Sequence, residues 1–262
     1  MSKEISFQSL RRFNGVMGVL HFIQAILMLA FALFIDKIAD FQISVRSYFL
    51  TFDSEQMRLV TDMKEQFNVP FGIAVSLFLF ISAFAHFIIV SPWGNKIYNE
   101  DLKRGINRFR WYEYALSSSL MIVLIAMLFG VYDIGSLVLI FVLNACMNLF
   151  GLDMEEINIG KRDHLNWKPF IFGSIAGITP WIVIALYAFG NTNPADVPWF
   201  VYALAGSYFL FFNLFPINML LQYNRVGKWE NYLYGERGYI ILSLVAKTVL
   251  AWIAFGGVMQ PA

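Results

Sequence analysis

Residues 238–258, with the sequence GYIILSLVAKTVLAWIAFGGV, contain a single lysine, Lys247, and no other charged residue. A helix of about twenty apolar residues is long enough to span the hydrocarbon core of a bilayer. An ionisable side chain at that depth is costly, and it marks a functional site with a partner of opposite charge. The stretch therefore predicts a membrane helix built around a lysine with a specific role.

The whole chain has the composition of a membrane protein. Its 262 residues are 58% hydrophobic and 14% charged, whereas soluble domains carry about 25% charged residues. The net charge of +1 gives no indication of a nucleic-acid partner. A single cysteine, Cys146, excludes an intrachain disulfide.

The first apolar run is too long for a typical signal-peptide core and lacks a cleavage site, so we expect no cleavable signal.

Seven apolar runs are long enough to cross a membrane as helices. They lie at residues 13–35, 69–90, 109–130, 134–152, 169–190, 198–222 and 238–258. Turn sequences such as SPWGN, VYDIGS, GNTNPADVP and YGERGY separate them. We predict an all-α, multi-pass protein of the cell membrane, with one seven-helix domain over residues 1–262.

The distribution of basic residues predicts the orientation of this bundle. Fourteen lysines and arginines flank the runs on the side of the N-terminus, Lys3 and Arg162 among them, against four on the other side. Because short cytoplasmic segments are enriched in Lys and Arg, the N-terminus is expected in the cytoplasm and the C-terminus outside. The same basic loops are compatible with contact with anionic lipid or with an unknown cytoplasmic signalling partner, but ordinary flanking charge is the better explanation of them.

The connection between the first two runs, residues 36–68, is the only long one and is called the A–B loop below. Apolar and polar residues alternate in FQISVRSYF, which predicts a strand around residues 41–45. Asp53 or Ser54 is a suitable cap for a short amphipathic helix, whose apolar face carries Met57, Val60, Met63 and Phe67. We expect this loop to cover the bundle or to contact a second protomer.

Besides Lys247, the apolar runs contain Glu113, close after Arg110 at the start of its run, and two histidines, His21 and His86. At 1.5 Å per helical residue, Lys247 lies about 14 Å from the cytoplasmic end of its helix and Glu113 about 6–8 Å from the end of its own. A lysine and a carboxylate at neighbouring depths can neutralise each other. Ser243 precedes Lys247 by four residues and so shares its helix face.

Each of these residues also has a purely structural interpretation. Lys247 and Glu113 can form a buried ion pair without further function, and Glu113 can instead pair with Arg110 at i−3. His21 and His86 can simply hydrogen-bond neighbouring helices. A lysine amine can also form a Schiff base with a carbonyl compound, and a protonated Schiff base requires an anionic counter-ion.

The motifs RFRWYEYALSSSLM, residues 108–121, and SLVAKTVLAW, residues 243–252, resemble those of the heliorhodopsins, a group of microbial-type rhodopsins. The inverted orientation, the long A–B loop, His21 and His86 agree with this resemblance, which covers nearly the whole chain. The resemblance implies all-trans retinal bound to Lys247 as a protonated Schiff base, with Glu113 as the counter-ion. It also implies a light sensor with a slow photocycle, no ion pumping and a homodimer that involves the A–B loop.

The resemblance further implies which side chains surround the retinal. The implied wall comprises Trp181, Phe212, Tyr114 and Ser118, with Ser82, Asn144 and Met147 as further candidates beside Ser243. Each also has an ordinary interpretation, because aromatic, Met, Ser and Asn side chains are common in apolar bundles. His21 and His86 are the implied acceptors of the Schiff-base proton, through water.

Two positions differ from the pattern of light-driven pumps. Pumps carry a carboxylate four residues before the lysine, where this chain has Ser243, and outward proton pumps often carry one eleven residues after the counter-ion, where this chain has Leu124. Proton transport requires titratable groups on both sides of the Schiff base. A light-driven or light-gated ion transporter is therefore the second hypothesis, and a colourless bundle with a structural Lys–Glu pair is the third.

The sequence contains no nucleotide-binding loop, metal-ligand cluster or hydrolase constellation. We therefore expect neither a metal site nor catalytic residues, and no enzymatic activity beyond photochemistry of the cofactor.

Overall fold

A computed structural model describes residues 5–161, 163–190 and 197–259. Within these ranges seven helices are long and apolar enough to cross a membrane. They are α1 (Phe7–Phe34), α3 (Phe71–Val90), α5 (Arg108–Leu128), α6 (Ile134–Ile157), α7 (Lys168–Phe189), α8 (Trp199–Tyr223) and α9 (Tyr232–Val258). The predicted seven-helix architecture is confirmed. Lys3, Arg162 and most of the GNTNPADVP turn lie outside the described residues.

Three helices extend further than their apolar runs. α1 begins six residues before the predicted start, where Ser6 and Ser9 form a reciprocal capping box. α9 also begins six residues early, and α6 continues five residues past its predicted end. Apolar length measures only the part of a helix that suits lipid, whereas backbone hydrogen bonding can continue into polar residues beyond it. The predicted bounds were therefore too short at these three ends.

The helices pack side by side around a common interior. α1 packs against α3, α3 against α5, α5 against α6 and α6 against α7, while α9 packs against both α8 and α1. α7 and α8 meet through Trp181, whose ring lies 5.5 Å from that of Tyr208 and 5.1 Å from that of Phe209. Both helices contain an internal proline, Pro180 in α7 and Pro216 in α8.

The A–B loop folds as a short helix, α2 (Asp36–Ala39), followed by an antiparallel hairpin of β1 (Gln42–Asp53) and β2 (Arg58–Pro70). The predicted strand is therefore confirmed and is longer than expected. Ile43 and Val45 of β1 are buried against the bundle. The backbone N–H of Arg46 donates to the Tyr132 carbonyl at 2.8 Å, which ties the hairpin to the turn between α5 and α6.

The prediction of an amphipathic helix within this loop was wrong. Its apolar positions, Met57, Val60, Met63 and Phe67, lie in the hairpin turn and in β2 instead. Part of this segment is also compatible with a strand, because Leu59 and Met63 lie an even number of residues apart and so share one face of β2. Pairing with β1 satisfies the backbone of this segment, and that long-range pairing is not visible in the local pattern.

A further helix, α4 (Pro92–Lys103), occupies the connection that was interpreted as a turn. Ser91 caps it by accepting a hydrogen bond from the Gly94 N–H at 3.1 Å, and Pro92 stands at its first position. Serine followed by proline is a helix-start signal that could have identified it. Tyr98 and Leu102 bury the inner face of α4. The two ends of the bundle are called the α4 end and the hairpin end below.

Candidate functional site

Lys247 lies near the middle of α9, and its side chain is almost fully buried at 3% exposure. Its Nζ donates to Glu113 Oε1 at 2.7 Å and to Ser243 Oγ at 3.0 Å. Ser243 reaches the same nitrogen because residues four apart align on one helix face. The structure thus brings together the lysine, the carboxylate and the hydroxyl that the sequence singled out.

Glu113 receives a second hydrogen bond at the same oxygen. Ser82 Oγ, from α3, donates to Glu113 Oε1 at 2.6 Å. Lys247 and Glu113 are both buried and carry opposite charges, so the pair is balanced within the bundle. The alternative pairing of Glu113 with Arg110 is not the arrangement found, because Arg110 pairs with Glu155 and Glu236.

A cavity of about 600 Å³ lies beside Lys247 and is bordered by α5, α6, α7, α8 and α9. This volume falls within the range of sites for small molecules and cofactors, about 300–1,000 Å³. The predicted site residues that border it are Lys247, Ser243, Tyr114, Ser118, Met147, Trp181 and Phe212. Its lining is largely apolar, and the Lys247 side chain forms part of its wall.

Two predicted wall residues do not border this cavity. Ser82 lies instead on the Glu113 carboxylate, as described above. Asn144 lies behind the wall, where its Nδ2 donates to Ser118 Oγ at 2.8 Å and to Ser119 Oγ at 3.0 Å. Asn144 therefore orients a hydroxyl of the wall and does not form the wall itself.

Several wall residues were not predicted. Tyr208, Phe209 and Phe215 border the cavity together with Met121 and Trp111. The signal for the three α8 residues was present in the sequence, because they lie three or four positions from Phe212 and so share its helix face. The Trp181 Nε1 atom is buried and has no hydrogen-bond partner among the described residues, which leaves a donor in the wall for a ligand or water.

His21 and His86 form a buried stack on the α4 side of Lys247. Their ring centroids are 5.6 Å apart and their planes differ by 15°. His86 Nδ1 lies 2.8 Å from Asn14 Oδ1, whereas both ring nitrogens of His21 lack a partner among the described residues. His86 and Glu113 border a second cavity of about 30 Å³, enough for about two water molecules.

A second group of buried charges was not predicted. Arg110 of α5 is paired with Glu155 of α6 and Glu236 of α9, and all three side chains are at most 4% exposed. Glu155 and Glu236 lay just outside the apolar runs, where carboxylates are ordinarily solvated flanking residues. Burial by α4 and the neighbouring helices makes them part of the interior.

The interior on the hairpin side of Lys247 is apolar. Residues such as Ile122, Ile125, Leu250 and Phe255 fill it. Leu124, at the position where proton pumps often carry a carboxylic donor, is one of these buried residues at 3% exposure. Among the described residues, the buried carboxylates and the buried arginine and histidines lie at the level of Lys247 or on its α4 side.

These residues fit a ligand that bears a carbonyl group. The site offers a buried primary amine, an adjacent carboxylate that can neutralise a cationic product, and an apolar cavity for the rest of the molecule. A family model described as Heliorhodopsin matches residues 10–259. No curated protein matches the chain.

Proposed function

The chain belongs to the heliorhodopsin family of retinal-binding, rhodopsin-type light sensors, and we propose that Lys247 carries all-trans retinal as a protonated Schiff base with Glu113 as counter-ion. The observation that carries this proposal is the position of Lys247 Nζ, which lies 2.7 Å from Glu113 at the wall of the 600 Å³ cavity. Retinal supplies the absorption of visible light and the isomerisation that follows it.

The chain's own residues supply binding, orientation and charge. Trp181, Phe212 and Tyr114 provide apolar and aromatic walls for a long conjugated ligand. Ser243 and Glu113 position the free Lys247 amine through the two hydrogen bonds described above. The single N–H of a protonated Schiff base would donate to one of these two acceptors. The buried carboxylate stabilises a positive charge on that nitrogen, because two opposite charges attract strongly where water is excluded.

We propose that a proton leaving the Lys247 nitrogen remains on the α4 side and returns from there. Glu113, the small cavity and His86 lie on that side, and the hairpin side is filled by apolar residues. Net transport needs proton-accepting groups on both sides of the nitrogen. The arrangement therefore favours a sensor with a slow photocycle and no pumping, and it gives no catalytic role to any residue.

The α4 end is proposed to face the cytoplasm. Most of the lysines and arginines that flank the membrane helices lie at this end, including Lys96, Arg104 and Lys168. The positive-inside rule favours a cytoplasmic location for such an end. The hairpin then lies outside the cell.

The test is an absorption spectrum of the purified chain prepared with all-trans retinal, recorded before and after illumination in hydroxylamine. We expect a visible band that hydroxylamine bleaches and that is absent from Lys247→Ala. Glu113→Gln should move the band to longer wavelength, because loss of the counter-ion destabilises the positive ground state. Glu156→Gln, an exposed carboxylate of α6, is the matched control and should leave the band in place.

Four results would contradict parts of this proposal. A visible band that survives Lys247→Ala would refute the attachment site, and an unchanged spectrum in Glu113→Gln would refute the counter-ion. A well-folded chain without any band would favour a structural Lys–Glu pair. Sustained light-driven currents or pH changes in whole cells, abolished by a protonophore, would instead favour the transporter.

We also propose that two copies of the chain associate through the hairpin. Leu50, Phe52 and Leu59 are each more than half exposed there, on strands that extend away from the core. Such an exposed apolar surface is typical of a protein interface. We expect a dimer mass in nanodiscs or detergent, lost in the double variant Leu50→Lys and Leu59→Lys and kept in Gln56→Lys at the turn. A monomeric wild-type chain would refute the dimer.

A further inference from the structure

The buried cluster of Arg110, Glu155 and Glu236 is not balanced in charge. An arginine side chain remains protonated in proteins, so two ionised carboxylates around it leave a net charge of −1. The nearby cation Lys247 is already paired with Glu113 and adds no compensating charge. An unpaired charge in a buried site is expensive, and such groups commonly neutralise by binding a proton.

The two carboxylates have different hydrogen-bond surroundings. Glu155 accepts from the Asn107 N–H at 2.9 Å, from Trp111 Nε1 at 2.6 Å and from the Tyr232 hydroxyl at 3.1 Å, in addition to Arg110. Both of its oxygens therefore face donors. Because the backbone amide and the indole cannot accept a hydrogen bond, this environment suits an ionised carboxylate.

Each carboxylate contacts one phenol, which can either donate or accept, but Glu236 has only two fixed donors whereas Glu155 has three. Glu236 Oε1 accepts from Asn107 Nδ2 at 2.8 Å and from the Tyr98 hydroxyl at 2.9 Å, and its Oε2 accepts from Arg110. A phenol can donate or accept, so Tyr98 can also accept a hydrogen bond from a protonated Glu236. Its own proton is then donated to the side chain of Asn14, with the oxygen and nitrogen of that amide exchanged. Burial, the largest cause, raises the pKa of Tyr98 well above its usual range, which keeps the phenol neutral.

We propose that Glu236 is a proton-binding site, which holds one proton as a carboxylic acid while Glu155 stays ionised and paired with Arg110. The proton sits on Oε1 and is donated to the Tyr98 oxygen. Arg110 and Glu155 then form a one-to-one pair, and the buried cluster is neutral. The other titratable groups that face it are Tyr98, Tyr232 and Tyr239, with the Asp101–Arg108 and Glu113–Lys247 pairs beyond them.

Polar groups connect this site to the neighbourhood of Lys247. The Tyr98 hydroxyl lies 3.4 Å from Asn14 Nδ2, and Asn14 Oδ1 lies 2.8 Å from His86 Nδ1. The 30 Å³ cavity borders Glu236 at one side and Glu113 at the other. A proton on Glu236 can therefore exchange with the Lys247 region through about two waters in this cavity. The side-chain path is interrupted at Asn14, because an amide NH2 group donates a hydrogen bond and does not accept a proton. The site itself does not depend on a bound chromophore.

The test is infrared spectroscopy of the full chain in lipid nanodiscs in the dark, prepared with and without all-trans retinal. We expect the carbonyl stretch of a protonated carboxylic acid in both preparations. Glu236→Gln should abolish this band. Glu155→Gln should abolish it too, because the remaining carboxylate then pairs with Arg110 alone. Glu156→Gln, an exposed neighbour, should leave it intact, and Glu113→Gln should identify any contribution from the Lys247 pair.

A matched pair of milder variants locates the proton. Tyr98→Phe removes a hydroxyl that contacts Glu236, and Tyr232→Phe removes one that contacts Glu155. The band should shift in frequency in Tyr98→Phe and stay unchanged in Tyr232→Phe, and these variants keep the test valid if a glutamine variant fails to fold. Absence of a carboxylic acid band in the wild-type chain, or its survival in Glu236→Gln, would overturn the proposal. A shift only in Tyr232→Phe would overturn the assignment to Glu236.

Discussion

The two halves of the bundle on either side of Lys247 differ sharply in chemistry. The α4 half contains Glu113, His86, Arg110 and two further buried carboxylates, with a small cavity among them. The hairpin half is filled by aliphatic and aromatic side chains such as Ile125 and Leu250. The same seven helices build both halves, so the difference arises from side chains and not from architecture.

This difference shows how polar groups are accommodated inside a membrane bundle. Each buried charge of the α4 half lies against a partner of opposite charge or a hydrogen-bond donor, as Glu155 does with Arg110 and Trp111. An isolated charge in the hairpin half would find no such partner among the apolar residues described there. One-sided access to the Lys247 nitrogen is the consequence.

The largest effect is expected when a carboxylate is placed in the apolar hairpin half, which tests whether that half excludes charge. Leu124→Glu buries an acid where the neighbours are apolar, and we expect it to lower the free energy of unfolding by more than about 4 kcal/mol, or to prevent folding. Denaturant unfolding in detergent measures the change. Leu124→Met is the comparison, because it changes the side chain at the same position without adding a charge. A stable Leu124→Glu chain would show that the hairpin half admits water.

Removing Arg110 tests whether the charges of the α4 half depend on one another. Arg110→Met leaves Glu155 and Glu236 without their shared cation, and we expect a loss of about 3–5 kcal/mol in the free energy of unfolding. The exposed Arg104 provides the control, because Arg104→Met should change stability by less than about 0.5 kcal/mol. Equal stability of the two variants would mean that the cluster contributes nothing to the fold. Thermal or denaturant unfolding under identical lipid conditions gives the measurement.

The smallest expected effect concerns the hydroxyl on the counter-ion. Ser82→Ala removes the 2.6 Å hydrogen bond to Glu113 Oε1. Loss of this donor leaves more negative charge on the Glu113 oxygen that faces the Lys247 nitrogen. The visible band of the retinal-loaded protein should therefore move slightly to shorter wavelength, opposite to the shift expected for Glu113→Gln. Ser76→Ala, on the same helix but bonded to its own backbone, should leave the spectrum unchanged. A shift to longer wavelength in Ser82→Ala would show that the serine does not act through the carboxylate charge.

Local patterns predicted the central site better than its surroundings. Lys247 and Ser243 share a helix face because they lie four residues apart, and the depth of Glu113 along α5 places it near them. The rest of the wall required knowledge of which helix faces turn inward. Asn144 illustrates this limit, since one residue position decides whether an amide lines a cavity or lies behind it.

The sequence by itself determined the number of membrane helices, because a bilayer demands about twenty apolar residues per span, and it singled out the lysine and the carboxylate as costly exceptions. Only the tertiary structure decided that Glu155 and Glu236 are buried, that residues 58–70 form a strand, and that α4 covers one end. Burial at a helix end depends on what packs over it, and a strand depends on its distant partner. Neither is encoded in a local window of the chain.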